Sequence, residues 1–169
     1  MGKRALMIIA SRNFRDEEYI EPRRILEREG VEITVASSSL AVSRGMLGTT
    51  VKPDKLIQDV VVSDYDAIIF IGGQGASEYW NNLTAHKICK DAIASGKILA
   101  AICIAPTTLA NAGVLSKKRV TAFPSEASKL RAKGANYTGK GVEVSGDIIT
   151  ADGPSSAVKF GDEIVKALI

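Results

Sequence analysis

The sequence is poor in the residue types on which much protein chemistry depends. Its 169 residues include one histidine, His86, and two cysteines, Cys89 and Cys103. One histidine and two distant thiols do not make a metal coordination set, so no metal is expected. Without a CxxC spacing a disulfide framework is not expected either, and a cytoplasmic setting is the default. Aromatic residues are 5% of the chain, too few to give nucleic acid a run of stacking platforms. Lys plus Arg is 22 against 19 for Asp plus Glu, a net charge of +3. The densest basic groups, Lys3-Arg4, Arg23-Arg24 and Lys117-Lys118-Arg119, are too short for a nucleic-acid arm. No apolar run approaches the ~20 residues that cross a bilayer, so no membrane partner is expected. The brief apolar stretch near Met1 runs straight into Arg12, Arg15, Asp16, Glu17 and Glu18, and reads as a first strand. The motif GxGxxG is absent, which disfavours a nicotinamide-binding domain.

What remains is ordinary core-forming material, 46% hydrophobic and 24% charged, enough for one domain over residues 1–169. Strand-length apolar runs alternate with helical patterns. Strands are expected at Ala5–Ala10, Glu32–Ala36, Ala67–Ile71 and Ile98–Ile102. Helices are expected at about Glu17–Glu29, Thr84–Ser95 and Pro106–Ala112, closed by Gly30, Gly96 and Gly113. Continuous apolar strands separated by helices predict a parallel sheet covered on both faces. Farther on, Val120–Ala122 is a short strand, and Val142–Ser145 with Ile148–Ala151 flank a Gly146-Asp147 turn as a hairpin. A closing helix, Ser155–Leu168, has serine available as its N-cap. The fold class is an α/β sandwich.

The helix Thr84–Ser95 carries Ala85, Ile88, Cys89, Ala92 and Ile93 on one apolar stripe, so Cys89 reads as core packing. His86 lies off that stripe, on the polar side.

Cys103 stands at the seam between the strand Ile98–Ile102 and the helix opened by Pro106. There it is either a small apolar filler or a nucleophile whose pKa the helix N-terminus lowers. Two other segments follow predicted strands and reach the same rim, where open parallel sheets bind ligands. In Gly72-Gly73-Gln74-Gly75, close-lying backbone N–H groups would form an oxyanion hole with that of Ile104; the alternative is a plain tight turn. In the first loop, Glu17 and Glu18 either complement a helix start or supply a proton-handling carboxylate.

Seven stretches resemble the PfpI/ThiJ superfamily, which includes intracellular proteases and the Parkinsonism-linked protein deglycase. They are KRALMIIA, EEYIEPRRILEREGVEITVASSS, GTTVKPD, SDYDAIIFIGGQGA, GKILAAICIAPTTLANAGVL, VTAFPS and DIITADGPSSAVKFGDEIVKAL. The resemblance implies a flavodoxin-like three-layer sandwich with a strained nucleophile elbow at Cys103. It implies that Glu18, four residues before Pro22, contacts the thiol, and that Gly73 and Ile104 supply the oxyanion donors. It also implies a homo-oligomer with Arg28 near the contact, and a Gly153-Pro154 loop close to the site.

Two departures stand out. The protease branch has a histidine directly after the nucleophile, where this chain has Ile104. The deglycase branch has one before the proline of its V-T-x-H-P stretch, where this chain has Phe123. Thiol activation then falls to the helix dipole, Glu18 and water, and an acid with a pKa near neutral is missing. Three functions fit these residues. The favoured one is cofactor-free glyoxalase or deglycase chemistry on small reactive carbonyls, with Cys103 as nucleophile and Glu18 as acid/base. The others are a redox-sensing or chaperone-like stress-response protein using oxidation of Cys103, and an intracellular cysteine peptidase.

Overall fold

The computed structural model describes residues 2–169; Met1, which the single-domain reading includes, lies outside the described residues. The chain runs β1 (Arg4–Ile8), α1 (Asp16–Arg28), β2 (Glu32–Ser37), β3 (Ser43–Arg44), β4 (Thr50–Val51), β5 (Lys55–Leu56) and β6 (Ala67–Phe70). It continues through α2 (Leu83–Ala94), β7 (Ile98–Ile102), α3 (Pro106–Asn111), β8 (Arg119–Val120) and α4 (Ala127–Ala132). It ends with β9 (Asn136–Tyr137), β10 (Val142–Ser145), β11 (Ile148–Ala151) and α5 (Ala157–Leu168).

Seven strands form one sheet in the order β10-β11-β7-β6-β1-β2-β5. All neighbours are parallel except β10, which returns antiparallel along β11 through the expected hairpin. Strand β1 lies near the middle, with Ala5 opposite both Ile33 and Ala67. Its successive residues explain the unbroken apolar pattern. Leu6 and Ile8 pack on one face with Ile88, Cys89 and Ala92 of α2, while Ala5 and Met7 share the other with Leu26 of α1 and Phe160 of α5. Both faces of a parallel strand are buried, so alternation disappears. The fold is the mostly parallel α/β sandwich the sequence predicts, and Cys89 is core packing, fully buried.

Differences from the sequence reading lie at element ends and in short pieces. Helix α2 begins at Leu83 because Asn82 caps it, accepting from the Ala85 N–H at 2.9 Å. Helix α5 begins at Ala157 after a 3-10 turn, Pro154–Ser156. The serine cap expected there is not made: Ser156 Oγ donates instead to Asp152 Oδ1 at 2.6 Å. The expected strand Val120–Ala122 is displaced to Arg119–Val120, where it pairs with β9. Neither the six-residue α4 nor the two-residue strands β3, β4, β5 and β9 were expected, because such lengths carry no readable period.

Candidate active site

The C-terminal ends of β1, β6 and β7, three adjacent strands, deliver the loops that meet at Cys103. The Cys103 N–H donates to the Ala151 carbonyl at 2.9 Å, and the Cys103 carbonyl accepts from Phe123 N–H at 2.8 Å. Between these two anchors Cys103 holds φ at +66°, a left-handed conformation costly for a residue with a Cβ. The bend turns the side chain out of the sheet and into a cavity of about 460 Å³.

Glu18 reaches that cavity from the first turn of α1 and is fully buried. Its neighbour Glu17 does something else, since Arg15 Nε and Nη2 donate to it at 2.9 and 3.0 Å. Glu17 therefore takes the helix-start role, and of the two carboxylates Glu18 faces the thiol. Neither Glu18 oxygen has a well-formed hydrogen-bond partner. Burial pushes its carboxyl up to about 8, against the opposing pull of the Cys103 thiol and the Gly72 N–H that face it. The near-neutral acid that the sequence reading found missing is thus present: desolvation makes it from a glutamate.

The thiol behaves differently from the sequence expectation of a lowered pKa. Burial, and then the nearby Glu18 charge, push Cys103 up to about 12. The N–H groups of Gly73 and Ile104, both directed at the sulfur, pull the other way. Helix α3 is only six residues long and starts three residues after Cys103, so its dipole is weak there. The two groups titrate as a coupled pair, with the first proton leaving well above the usual carboxylate range.

The glycines at the end of β6 permit this crowding. A Cβ at Gly72 would lie 2.4 Å from Glu18 Oε1 and 2.5 Å from Cys103 Cβ, so those two atoms are no more than about 5 Å apart. Gly73 sits at φ +103°, where a Cβ would also strike the Arg15 nitrogen at 2.3 Å. Gly72 differs from the expectation of an oxyanion donor, because its N–H faces Glu18. Gly73 and Ile104 present the pair of donors to the sulfur.

Several pocket residues were given no role by the sequence. Trp80 lines the cavity, and its Nε1–H donates to the Ile104 carbonyl at 3.0 Å. Met46 lines it from the turn between β3 and β4. Arg15 lines it from the first loop. Glu126, buried, also lines it and accepts from Thr107 Oγ1 at 2.7 Å, Ser125 Oγ at 2.8 Å and Lys129 Nζ at 3.2 Å. Glu126 follows the VTAFPS stretch directly, the one signal that pointed toward it. Ile104, Phe123 and Pro154 line the cavity too, so the two positions where the resemblance leads one to expect histidine are part of its wall. His86 is not on that wall; its Nε2 lies 2.8 Å from the Trp80 carbonyl. Among the described residues, no group of three or more His, Cys, Asp or Glu side chains is placed to hold a metal, and no helix is long and apolar enough to cross a membrane.

With this geometry in place, likeness to other proteins becomes informative. An uncharacterized protein of Methanocaldococcus jannaschii is 40% identical over 98% of this chain and 82% of its own length. A Pyrococcus abyssi protein named as a deglycase is 31% identical over 96% of this chain and 98% of its own. A Caenorhabditis elegans protein named as a glutathione-independent glyoxalase is 30% identical over 98% and 89%. The crystal structure of a ThiJ/PfpI domain protein from Brachyspira murdochii superposes with a TM-score of 0.96 at 33% identity, covering 99% of this chain and 98% of that one. The sequence profile of the DJ-1/PfpI family matches residues 3–167, nearly end to end, and the chain belongs to that family.

Proposed function

We propose that the chain is a cofactor-free, cysteine-dependent enzyme acting on reactive carbonyls, of the glyoxalase or deglycase type. The observation that carries the reading is the buried Glu18 carboxyl, raised to about 8, set against Cys103 in one cavity. A group that titrates near the working pH both gives and takes protons efficiently. Relatives named as a deglycase and a glyoxalase support the same class of chemistry.

The steps balance without an outside oxidant. With Glu18 ionised, its carboxylate takes the thiol proton as the Cys103 sulfur adds to the aldehyde carbon of a 2-oxoaldehyde, and passes that proton to the carbonyl oxygen, giving a hemithioacetal. While charge builds on that oxygen, the N–H groups of Gly73 and Ile104 stabilise it. Glu18, a carboxylate again, removes the proton from the former aldehyde carbon and returns it to the neighbouring carbonyl carbon, while the hydroxyl proton on the first carbon passes to the neighbouring carbonyl oxygen. The first carbon is oxidised to a thioester and the second is reduced to an alcohol. Water then cleaves the thioester, releasing a 2-hydroxycarboxylate and restoring the thiol.

Peptide hydrolysis fits less well, because Ile104 and Phe123 put hydrocarbon beside Cys103 and no imidazole lines the cavity to protonate a leaving amine. Redox sensing by Cys103 fits less well too, since oxidation needs thiolate and the thiol is pushed up. The reading takes residues 1–169 as one domain, cytoplasmic, and assembled as a dimer or larger homo-oligomer, as the resemblance implies; sedimentation velocity checks the last point. The activity is tested by incubating purified protein with methylglyoxal and measuring lactate. Lactate formation that disappears in Cys103→Ala is expected, and unchanged formation in that variant contradicts the proposal.

A further inference from the structure

The cavity is far larger than a three-carbon substrate requires. At about 460 Å³ it falls in the range that encloses ligands of drug size. Methylglyoxal bound at Cys103 would leave most of that space to water. Most of the surface the cavity exposes is hydrocarbon, to which Met46, Trp80, Ile104, Phe123 and Pro154 contribute beside the polar side chains of Arg15, Gln74, Ser77, Ser125 and Glu126. Two of the apolar residues, Ile104 and Phe123, flank Cys103 directly: one follows it in the chain, and the other donates its N–H to the Cys103 carbonyl at 2.8 Å.

The wall is also built to stay in place. Trp80 is held by its Nε1–H on the Ile104 carbonyl, and its own carbonyl is engaged by His86 Nε2 at 2.8 Å and Asn111 Nδ2 at 2.9 Å. Lys129 Nζ sits 3.7 Å over the indole ring, itself tied to Glu126. Met46 belongs to a turn fixed by Asp16, whose carboxylate accepts from the N–H groups of Leu47 and Thr49 at 2.8 and 2.9 Å. An indole already held in place rewards a substrate that packs against it, because less must be ordered on binding.

We infer that the preferred substrates are 2-oxoaldehydes with an apolar body, branched or aromatic, seated against Trp80 and Phe123 while the carbonyl end lies at Cys103. Trp80 is the specificity-determining residue. The inference rests on the carbonyl reading for its chemistry, but the shape of the pocket is tested separately.

Affinity is measured by calorimetry on the full chain with two unreactive diols, phenyl ethanediol and propylene glycol. Turnover is measured in parallel as the ratio of kcat/KM for isobutylglyoxal to that for methylglyoxal. One or two well-packed methylenes discriminate by about tenfold or more, so the phenyl diol and the isobutyl aldehyde are each expected to be preferred by at least that factor. Both preferences are expected to collapse in Trp80→Ala and in Phe123→Ser; Phe123 is 44% exposed, so its replacement guards against misfolding of the Trp80 variant. Equal affinity for the two diols, or a preference that survives both substitutions, overturns the inference. If neither aldehyde is turned over, the carbonyl chemistry fails, and the diol measurement still decides what the pocket holds.

Discussion

Glu18 and Cys103 meet across a glycine: Oε1 of the one and Cβ of the other lie 2.4 and 2.5 Å from where a side chain at Gly72 would begin. The carbonyl of Ile102 closes the same space at 2.6 Å. No side chain fits there without parting the pair. Gly72→Ala is therefore expected to lower activity by about two orders of magnitude, the cost of shifting reacting groups by an ångström or so. Steady-state kinetics with methylglyoxal checks this, alongside circular dichroism to confirm folding. Near-normal kcat/KM would mean that the contact is not used.

Glu18 also leaves a mark on stability. Its folded pKa, about 8, lies above its ordinary 4.5. Below about 4.5 both folded and unfolded chains hold the proton and Glu18 costs nothing through ionisation. Between about 4.5 and 8 the unfolded chain ionises first, so stability falls with rising pH by on the order of 1.4 kcal/mol per unit. Glu18→Gln removes this penalty. The variant is expected to resist urea better than the parent at pH 8 and to match it more closely at pH 4. A site that trades stability for chemistry behaves in this way.

Asp16 has the opposite sign. Hydrogen bonds from Leu47 and Thr49 hold its carboxyl below the usual range despite burial. Its contribution is present at neutral pH and is lost as pH falls through the folded pKa. Asp16→Ala strands two backbone donors and is expected to cost about 1–3 kcal/mol at pH 7, measured by denaturant unfolding. The loss should shrink in acid.

The two cysteines should separate cleanly under mild peroxide. Cys89 is fully buried in the core and its thiol is pushed up by desolvation, while Cys103 faces the cavity. Intact-mass and peptide analysis is expected to find oxygen added slowly, and at Cys103 alone. Modification at Cys89 would mean that the core opens readily.

The sheet and its helices were legible in the sequence because long apolar runs and 3.6-residue stripes survive any context. Cys103, Glu18, Gly73 and Ile104 were candidates from their places after strands, each with a plain structural alternative, and resemblance alone singled them out. Their pKa values were not legible at all. Desolvation depends on what covers a group, and Glu18 is covered by residues from three separate loops. Glu126 and Trp80 were missed for a related reason: each reaches the cavity from a stretch of short turns, where no period announces a buried side chain.

The pH dependence of Cys103 alkylation, with Glu18→Gln beside the parent, tests the paired site most directly. If the two groups share their protons, the parent rate rises through about pH 8 and is still climbing at pH 10, because the thiol is held up to about 12. In Glu18→Gln the step near 8 is lost, and the remaining titration moves down as the carboxylate charge is no longer there. A single midpoint well below the ~8.5 of an ordinary thiol, unmoved by Glu18→Gln, would contradict the account and return activation of the sulfur to the backbone alone.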